Sequence, residues 1–144
     1  MPIYLSTNDV QRINERLCGP NQLREYGLLD AATVRPMQSA GGEDAYPSIH
    51  EKAAALLHGL ARFHPFITGN KRTAWVATAM FYMVNGYNLY AEAGAVVGLT
   101  GDAAEGVLGV ADIAGILKGW AQPFDTPDDD DDDPGSQRDY AIAH

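Results

Sequence analysis

The order of apolar and polar residues divides the chain into helical segments that are separated by glycine, proline and polar turns. Apolar residues recur at spacings of three and four from Val10 to Leu17, directly after potential N-cap residues at positions 6–9. This pattern predicts a first helix that ends near Leu17. A short second helix is predicted around residues 27–32, before the break at Arg35-Pro36.

Four further helices are predicted downstream. Pro47-Ser48 opens a third helix with one apolar face, and residues 74–84 are apolar on nearly all sides, which is typical of a central helix. That apolar run is too short to cross a membrane, since a crossing needs about 20 apolar residues. Weaker helical patterns cover residues 93–108 and 110–120. No membrane span is expected.

Strand patterns are thin and occur only at residues 3–5 and 87–90. The predicted fold class is therefore all-α, a compact helical bundle. Residues 36–47, between the second and third predicted helices, form a long loop with two open interpretations. One is a mobile flap with a function, as long loops in compact domains often are, and the other is a plain connector.

Charge is distributed unevenly along the chain. The 144 residues, 46% of them hydrophobic, fit one domain with a core of its own. Residues 125–144 hold eight aspartates and one arginine, so residues 1–124 carry only −2 of the formal charge of −9. We therefore predict a folded domain at 1–124 and an acidic, disordered tail at 125–144. This balance does not favour binding to duplex nucleic acid.

Cysteine and histidine usage excludes several chemistries. Cys18 is the single cysteine, so neither an internal disulfide nor a zinc site built on cysteine pairs is possible, and a reducing cytoplasm is the expected setting. Residues 1–6 lack the pattern of a signal peptide. His50 and His58 lie eight residues apart, which does not match the spacing of a zinc-binding helix, and a structural or exposed position is expected for both.

The turn before the apolar helix carries the candidate chemistry. Gly69 leads it, and Asn70, Lys71 and Arg72 follow at the predicted helix start. A helix start presents backbone N–H groups without intrahelical partners and the positive end of the helix dipole, and these three side chains would add donors. The turn therefore predicts a site for a polyphosphate. Phe66 and Ile67, just before it, are expected to anchor the loop in the core.

His64 ends the third predicted helix and begins this loop. A histidine at such a position is often structural, but an imidazole exposed there can take a proton from an incoming hydroxyl near neutral pH. Lys71 and Arg72 would offset the charge that develops on the phosphate under attack. The combination predicts phosphoryl or nucleotidyl transfer, with His64 as the general base. The glycine patterns of P-loop and Rossmann nucleotide sites are absent from the sequence.

Together these residues resemble the Fic/Doc family, whose motif reads His-x-Phe-x-acid-Gly-Asn followed by Gly-Arg or Lys-Arg. The form with Lys71-Arg72 is similar to the Doc branch. Further resemblance lies in Tyr26-Gly27-Leu28-Leu29-Asp30-Ala31-Ala32, Arg35-Pro36, Tyr46-Pro47, the helix from Glu51 to His58 and Asn85-Gly86-Tyr87. It extends over about residues 3–121.

The resemblance implies a helical toxin that transfers a phosphoryl group from ATP to a hydroxyl of a translation factor, elongation factor Tu in the Doc case. It also implies a partner antitoxin, and a flap before the motif helix that docks the target. His64 would activate the hydroxyl, and Gly69, Asn70, Lys71 and Arg72 would hold the nucleotide phosphates. Typical Fic enzymes have glycine where Lys71 stands and transfer AMP, so the lysine favours a kinase over a nucleotidyltransferase.

Thr68 departs from the family motif, which has a carboxylate here that helps to hold Mg²⁺. Three interpretations are open. The enzyme recruits the metal through phosphate and water; it is catalytically weak and serves as a partner-binding module; or the fold has been turned to Mg²⁺-independent chemistry on a small molecule or peptide. The inhibitory helix motif of some Fic proteins is absent from the sequence, so inhibition is expected from another chain.

Overall fold

The computed structural model describes residues 1–124 and the short strand at residues 140–141. The aspartate run 128–133 and most of the predicted tail lie outside the described residues. Within the described part of the chain, no helix combines the length and the apolar character that a membrane crossing requires.

The described residues are mostly helical, as predicted. Two helices begin with complete capping boxes: the Ser6 hydroxyl accepts from the backbone N–H of Asp9 at the first, and Ser48 accepts from Glu51 at the third. The second helix and the two C-terminal helices also lie where the apolar pattern predicted them. The six helices in residues 1–124 are α1 (Thr7–Cys18), α2 (Tyr26–Val34), α3 (Ile49–Phe63), α4 (Asn70–Val84), α5 (Ala93–Ala104) and α6 (Val110–Trp120).

Helix α3 lies at the centre of the core and packs against α2, α4, α5 and α6. Nearly all of its residues from position 52 to 61 are buried, and α4 packs along it as a second buried helix. Gly59 allows α2 to approach closely, because a Cβ at that position would lie 3.0 Å from the Cβ of Ala32. The backbones of α2 and α3 therefore lie in direct contact at this position.

Three short antiparallel strand pairs complete the described fold, so the all-α prediction is only partly correct. They pair β1 (Ser39–Ala40) with β2 (Glu43–Asp44), β3 (Tyr87–Leu89) with β5 (Ala121–Pro123), and β4 (Ala91–Glu92) with β6 (Tyr140–Ala141). The strand pattern at 87–90 corresponds to β3. Residues 3–5 form no strand; the Asn85 side chain instead bonds the backbone of Ile3 in both directions, at 2.8 Å each.

The segment predicted as a loop at 36–47 is a 3₁₀ turn (Arg35–Met37) followed by the β1–β2 hairpin. Gly41 and Gly42 form its two-residue turn with φ of 62° and 84°, as the primed hairpin turns require. The turn and both strands are exposed. The segment is therefore a hairpin of defined register, while its mobility stays a prediction.

Two basic side chains fix the base of this hairpin. The buried ammonium of Lys52 donates to the carbonyl of Tyr46 at 2.6 Å and to Asp44 Oδ2 at 3.1 Å. Arg35 donates to His58 Nδ1 at 2.9 Å and to the hydroxyl of Tyr46 at 3.2 Å. Burial, then the neighbouring Arg35 and Arg62, lower the pKa of His58, so the ring accepts from Arg35 in its neutral form.

Candidate active site

His64 is the C-cap of α3 and its side chain is exposed, so the predicted position at a helix end is confirmed. Its backbone is left-handed, with φ 54° and ψ 58°. The Arg24 guanidinium donates to the His64 carbonyl, with Nε at 2.8 Å. Among the described residues, the imidazole has a single hydrogen-bond partner, the Arg62 carbonyl, which lies at the long distance of 3.4 Å from Nδ1. The ring is therefore available at the surface above the loop.

Residues 22–25, which we call the anchoring segment, contact the motif loop, residues 64–69, from outside. The sequence did not indicate this contact. The N–H groups of Arg24 and Glu25 both donate to the carbonyl of Pro65, at 2.8 and 3.1 Å. The N–H of Ile67 donates to the carbonyl of Gln22 at 2.7 Å. Backbone bonds carry no side-chain signature, so a single sequence contains no signal for them.

Asn70 makes different contacts from those expected. Its side chain is buried and bonds the backbone of Phe66 in both directions, since Oδ1 accepts from the N–H and Nδ2 donates to the carbonyl, each at 2.9 Å. The Asn70 amide thus closes the loop across four residues. The Asn70 side chain is therefore bonded within the protein, and its backbone N–H lies at the start of α4.

The expected anchoring by Phe66 and Ile67 is half right. Phe66 is 2% exposed and belongs to the core, whereas Ile67 is 66% exposed. The short bridge between Leu23 and Phe66 explains the difference, because successive side chains of an extended segment point to opposite sides. Phe66 therefore anchors the loop, and Ile67 projects into solvent.

Gly69 occupies a position that only glycine fits. Its φ of 81° lies in the left-handed region, and a Cβ there would come closer than 3.0 Å to Sγ of Cys18. Behind it, the buried Asn14 donates to the Thr68 carbonyl and to the Thr73 hydroxyl, both at 3.1 Å. The glycine therefore lets the loop lie directly on α1 before α4 begins.

The start of α4 combines positive charge with unpaired backbone donors. Lys71 and Arg72 are exposed, and neither side chain forms a hydrogen bond or an ion pair with any residue in the range 1–124. The first N–H groups of a helix have no intrahelical acceptor and lie at the positive end of its dipole. This end of α4 can bind a phosphate, and His64 lies at the start of the short loop that leads into it.

Thr68 contributes a hydroxyl where a carboxylate was expected from the motif. Its side chain is exposed, and its carbonyl is held by Asn14. Among the described residues, no three histidine, cysteine or acidic side chains are grouped as metal ligands would be. Residues 64–72 themselves contain no carboxylate that could serve as a ligand for magnesium.

A helical fold in which a loop that begins with histidine precedes a helix with basic residues in its first turn is typical of the Fic/Doc class. The model of the Fic/Doc family matches residues 4–82, more than half of the chain, and this region contains the whole motif loop. The chain is also 47% identical over 93 residues to "Toxin Doc" of Mycolicibacterium smegmatis, a match that covers 64% of this chain and 72% of that protein. The chain therefore belongs to the Fic/Doc family, in its Doc toxin branch.

Proposed function

We propose that this protein is a Doc-type toxin of the cytoplasm that acts as a protein kinase, transferring a phosphoryl group from ATP to a hydroxyl of a translation factor similar to elongation factor Tu. The observation that carries the proposal is the exposed His64 at the start of the loop that leads into Lys71 and Arg72, two cations in the first turn of α4 that have no ion-pair partner among residues 1–124. The relative named as a Doc toxin supports the toxin class. A separate small antitoxin is proposed to inhibit it.

His64 would accept the proton of the target hydroxyl as that oxygen forms a bond to the γ-phosphorus. The bond between the γ-phosphorus and the bridging oxygen breaks, and ADP leaves. The backbone N–H groups at Gly69 and the start of α4 would hold the phosphates, and Lys71 and Arg72 would offset charge on the transferred group and the leaving oxygen. The exposed β1–β2 hairpin would dock the target.

Magnesium is implied by the family, but the chain offers only the hydroxyl of Thr68 at the motif position. A hydroxyl brings no formal charge, whereas sites for this ion usually contain one or two carboxylates. Each step proposed here is therefore assigned to His64 and the cationic helix start. The variant Thr68→Asp tests whether the missing carboxylate matters. If the parent and the variant have equal activity across a range of Mg²⁺ concentrations, the carboxylate is dispensable.

The experiment that tests the proposal compares transfer of label from α-labelled and γ-labelled ATP to purified elongation factor Tu. A kinase labels the target from γ-labelled ATP only, and His64→Ala should abolish labelling while the far-UV circular dichroism stays unchanged. Lys71→Gly, which restores the residue of typical Fic enzymes, should shift transfer towards the α-label. Lys118→Gly, at an exposed position of α6, is the matched control for the substitution itself.

Three outcomes would reject the kinase. Label from α-labelled ATP in the parent indicates a nucleotidyltransferase. Tight binding of the factor or of an antitoxin without any turnover indicates a partner-binding module. Labelling of a small molecule or peptide, but not of the factor, indicates a Fic/Doc fold that has been turned to another reaction.

A further inference from the structure

The guanidinium of Arg24 caps the end of α3 from a segment nearly forty residues earlier in the chain. Nε lies 2.8 Å from the His64 carbonyl, and Nη2 lies 3.3 Å from the Phe63 carbonyl. The last carbonyl groups of a helix have no intrahelical donors, and a cation at this end also interacts favourably with the helix dipole. Arg24 is exposed, so these bonds form at the protein surface beside the imidazole.

The backbone of His64 needs such a restraint. A side-chain-bearing residue in the left-handed region costs about 1–2 kcal/mol, and glycine or asparagine is the usual choice at this position after a helix. Pro65 adds to the conflict, because a proline directs the preceding residue towards extended conformations. The left-handed His64 is therefore imposed by its contacts, and strain of this kind is found where structure serves function.

We propose that Arg24 is a positioning residue for His64, an inference that rests on the proposed role of His64 as the base. Arg24 contacts two successive peptide units that flank Pro65. Its side chain holds the carbonyl of His64, and its own N–H holds the carbonyl of Pro65 at 2.8 Å. These bonds fix the direction in which the imidazole leaves the backbone, relative to the phosphate site at the start of α4.

The kinetic test uses two variants. Arg24→Met has a side chain of similar length without N–H donors, and Arg24→Lys retains the positive charge with a smaller number of donors. We expect kcat to fall by about 100-fold in Arg24→Met, as misplacement of a reacting group by about 1 Å does, with the KM for ATP unchanged. Arg24→Lys should recover part of the rate. Arg16→Met, at an exposed arginine in the last turn of α1, should behave as the parent protein.

A raised KM for ATP with unchanged kcat would overturn the proposal, since it would show that Arg24 contacts the nucleotide directly. A rate in Arg24→Met equal to that of Arg16→Met would also overturn it.

A second measurement does not depend on activity. The Cα and Cβ chemical shifts of His64 report its backbone conformation, and we expect Arg24→Met to move them away from left-handed values, while the shifts of Lys71 remain those of the parent. Unchanged His64 shifts would refute positioning whatever the kinetics show. If the parent transfers no label at all, the proposed function fails, and these shifts still decide whether Arg24 holds His64.

Discussion

Gly69→Ala is the substitution for which the structure makes the sharpest prediction. The new methyl group would lie closer than 3.0 Å to Sγ of Cys18 and 3.3 Å from Nδ2 of Asn14, and alanine would have to adopt φ 81°. Asn14 is held by its bonds to the Thr68 carbonyl and the Thr73 hydroxyl, so relief of the contact with Cys18 requires its thiol to rotate or the loop to shift. The variant therefore combines backbone strain with overpacking.

Both contributions have known magnitudes. The left-handed conformation costs an alanine about 1–2 kcal/mol, and an extra methyl group in a packed site costs about 1–3 kcal/mol. We expect Gly69→Ala to lower the free energy of unfolding by about 2–5 kcal/mol, a large share of the about 5–15 kcal/mol that a domain usually has. Replacing Cys18 by alanine removes Sγ and leaves its Cβ at 3.8 Å, an ordinary contact distance.

A double-mutant cycle separates the two contributions. Urea unfolding followed by circular dichroism should show that Gly69→Ala/Cys18→Ala recovers about 1–3 kcal/mol relative to the sum of the single variants. Cys18→Ser is the matched control, since its hydroxyl oxygen replaces Sγ and should relieve less of the clash. Strict additivity of Gly69→Ala and Cys18→Ala would refute the claim that the contact between residues 69 and 18 requires a glycine.

Two further predictions concern the hairpin and its support. Lys52→Met should destabilise the domain by about 1–3 kcal/mol, because the carbonyls of Pro36 and Tyr46 lose their donor. Hydrogen exchange at the N–H of Ala45, which pairs with the Gln38 carbonyl, should become faster, whereas Lys118→Met should change neither quantity. Unchanged exchange in Lys52→Met would refute the claim that Lys52 holds the base of the hairpin. The lowered pKa of His58 means that the unfolded chain binds more protons below about pH 6.5, so this contribution to stability is present above that pH and is lost as the pH falls towards the folded pKa. The urea midpoint should decrease between about pH 7.5 and 5.5, and this decrease should be smaller in His58→Gln than in the parent protein. Equal decreases in the two proteins would contradict the assignment of this pH dependence to His58.

Much of the local structure was predictable because it depends on neighbouring residues. The spacing of Val10 and Leu17 indicated α1, the serine before residue 49 indicated the start of α3, and Gly69 marked the start of α4. The strand pairs were not predictable in the same way. The sequence showed a strand pattern at β3, but its partner β5 lies more than thirty residues later, and the other strands, of two or three residues, are too short to show alternation.

Side-chain roles at the site show the same division. The sequence indicated Asn70 as an anion donor, but the fold directs its amide to the backbone of Phe66. The sequence treated Ile67 as buried because it is apolar, yet the bridge to the anchoring segment turns it outwards. Periodicity describes one element at a time, whereas the direction of a loop side chain depends on what the loop packs against.

The sequence by itself determined the helical character of this protein, the order of its helices and the residues of the motif loop and helix start from His64 to Arg72, because capping, periodicity and turn chemistry act over a few positions. Only the tertiary structure decided how that loop is held. The backbone of residues 22–25, the carboxamide of Asn14 and the sulfur of Cys18 meet it across 40 residues or more, and contacts between distant residues follow from packing rather than from local pattern.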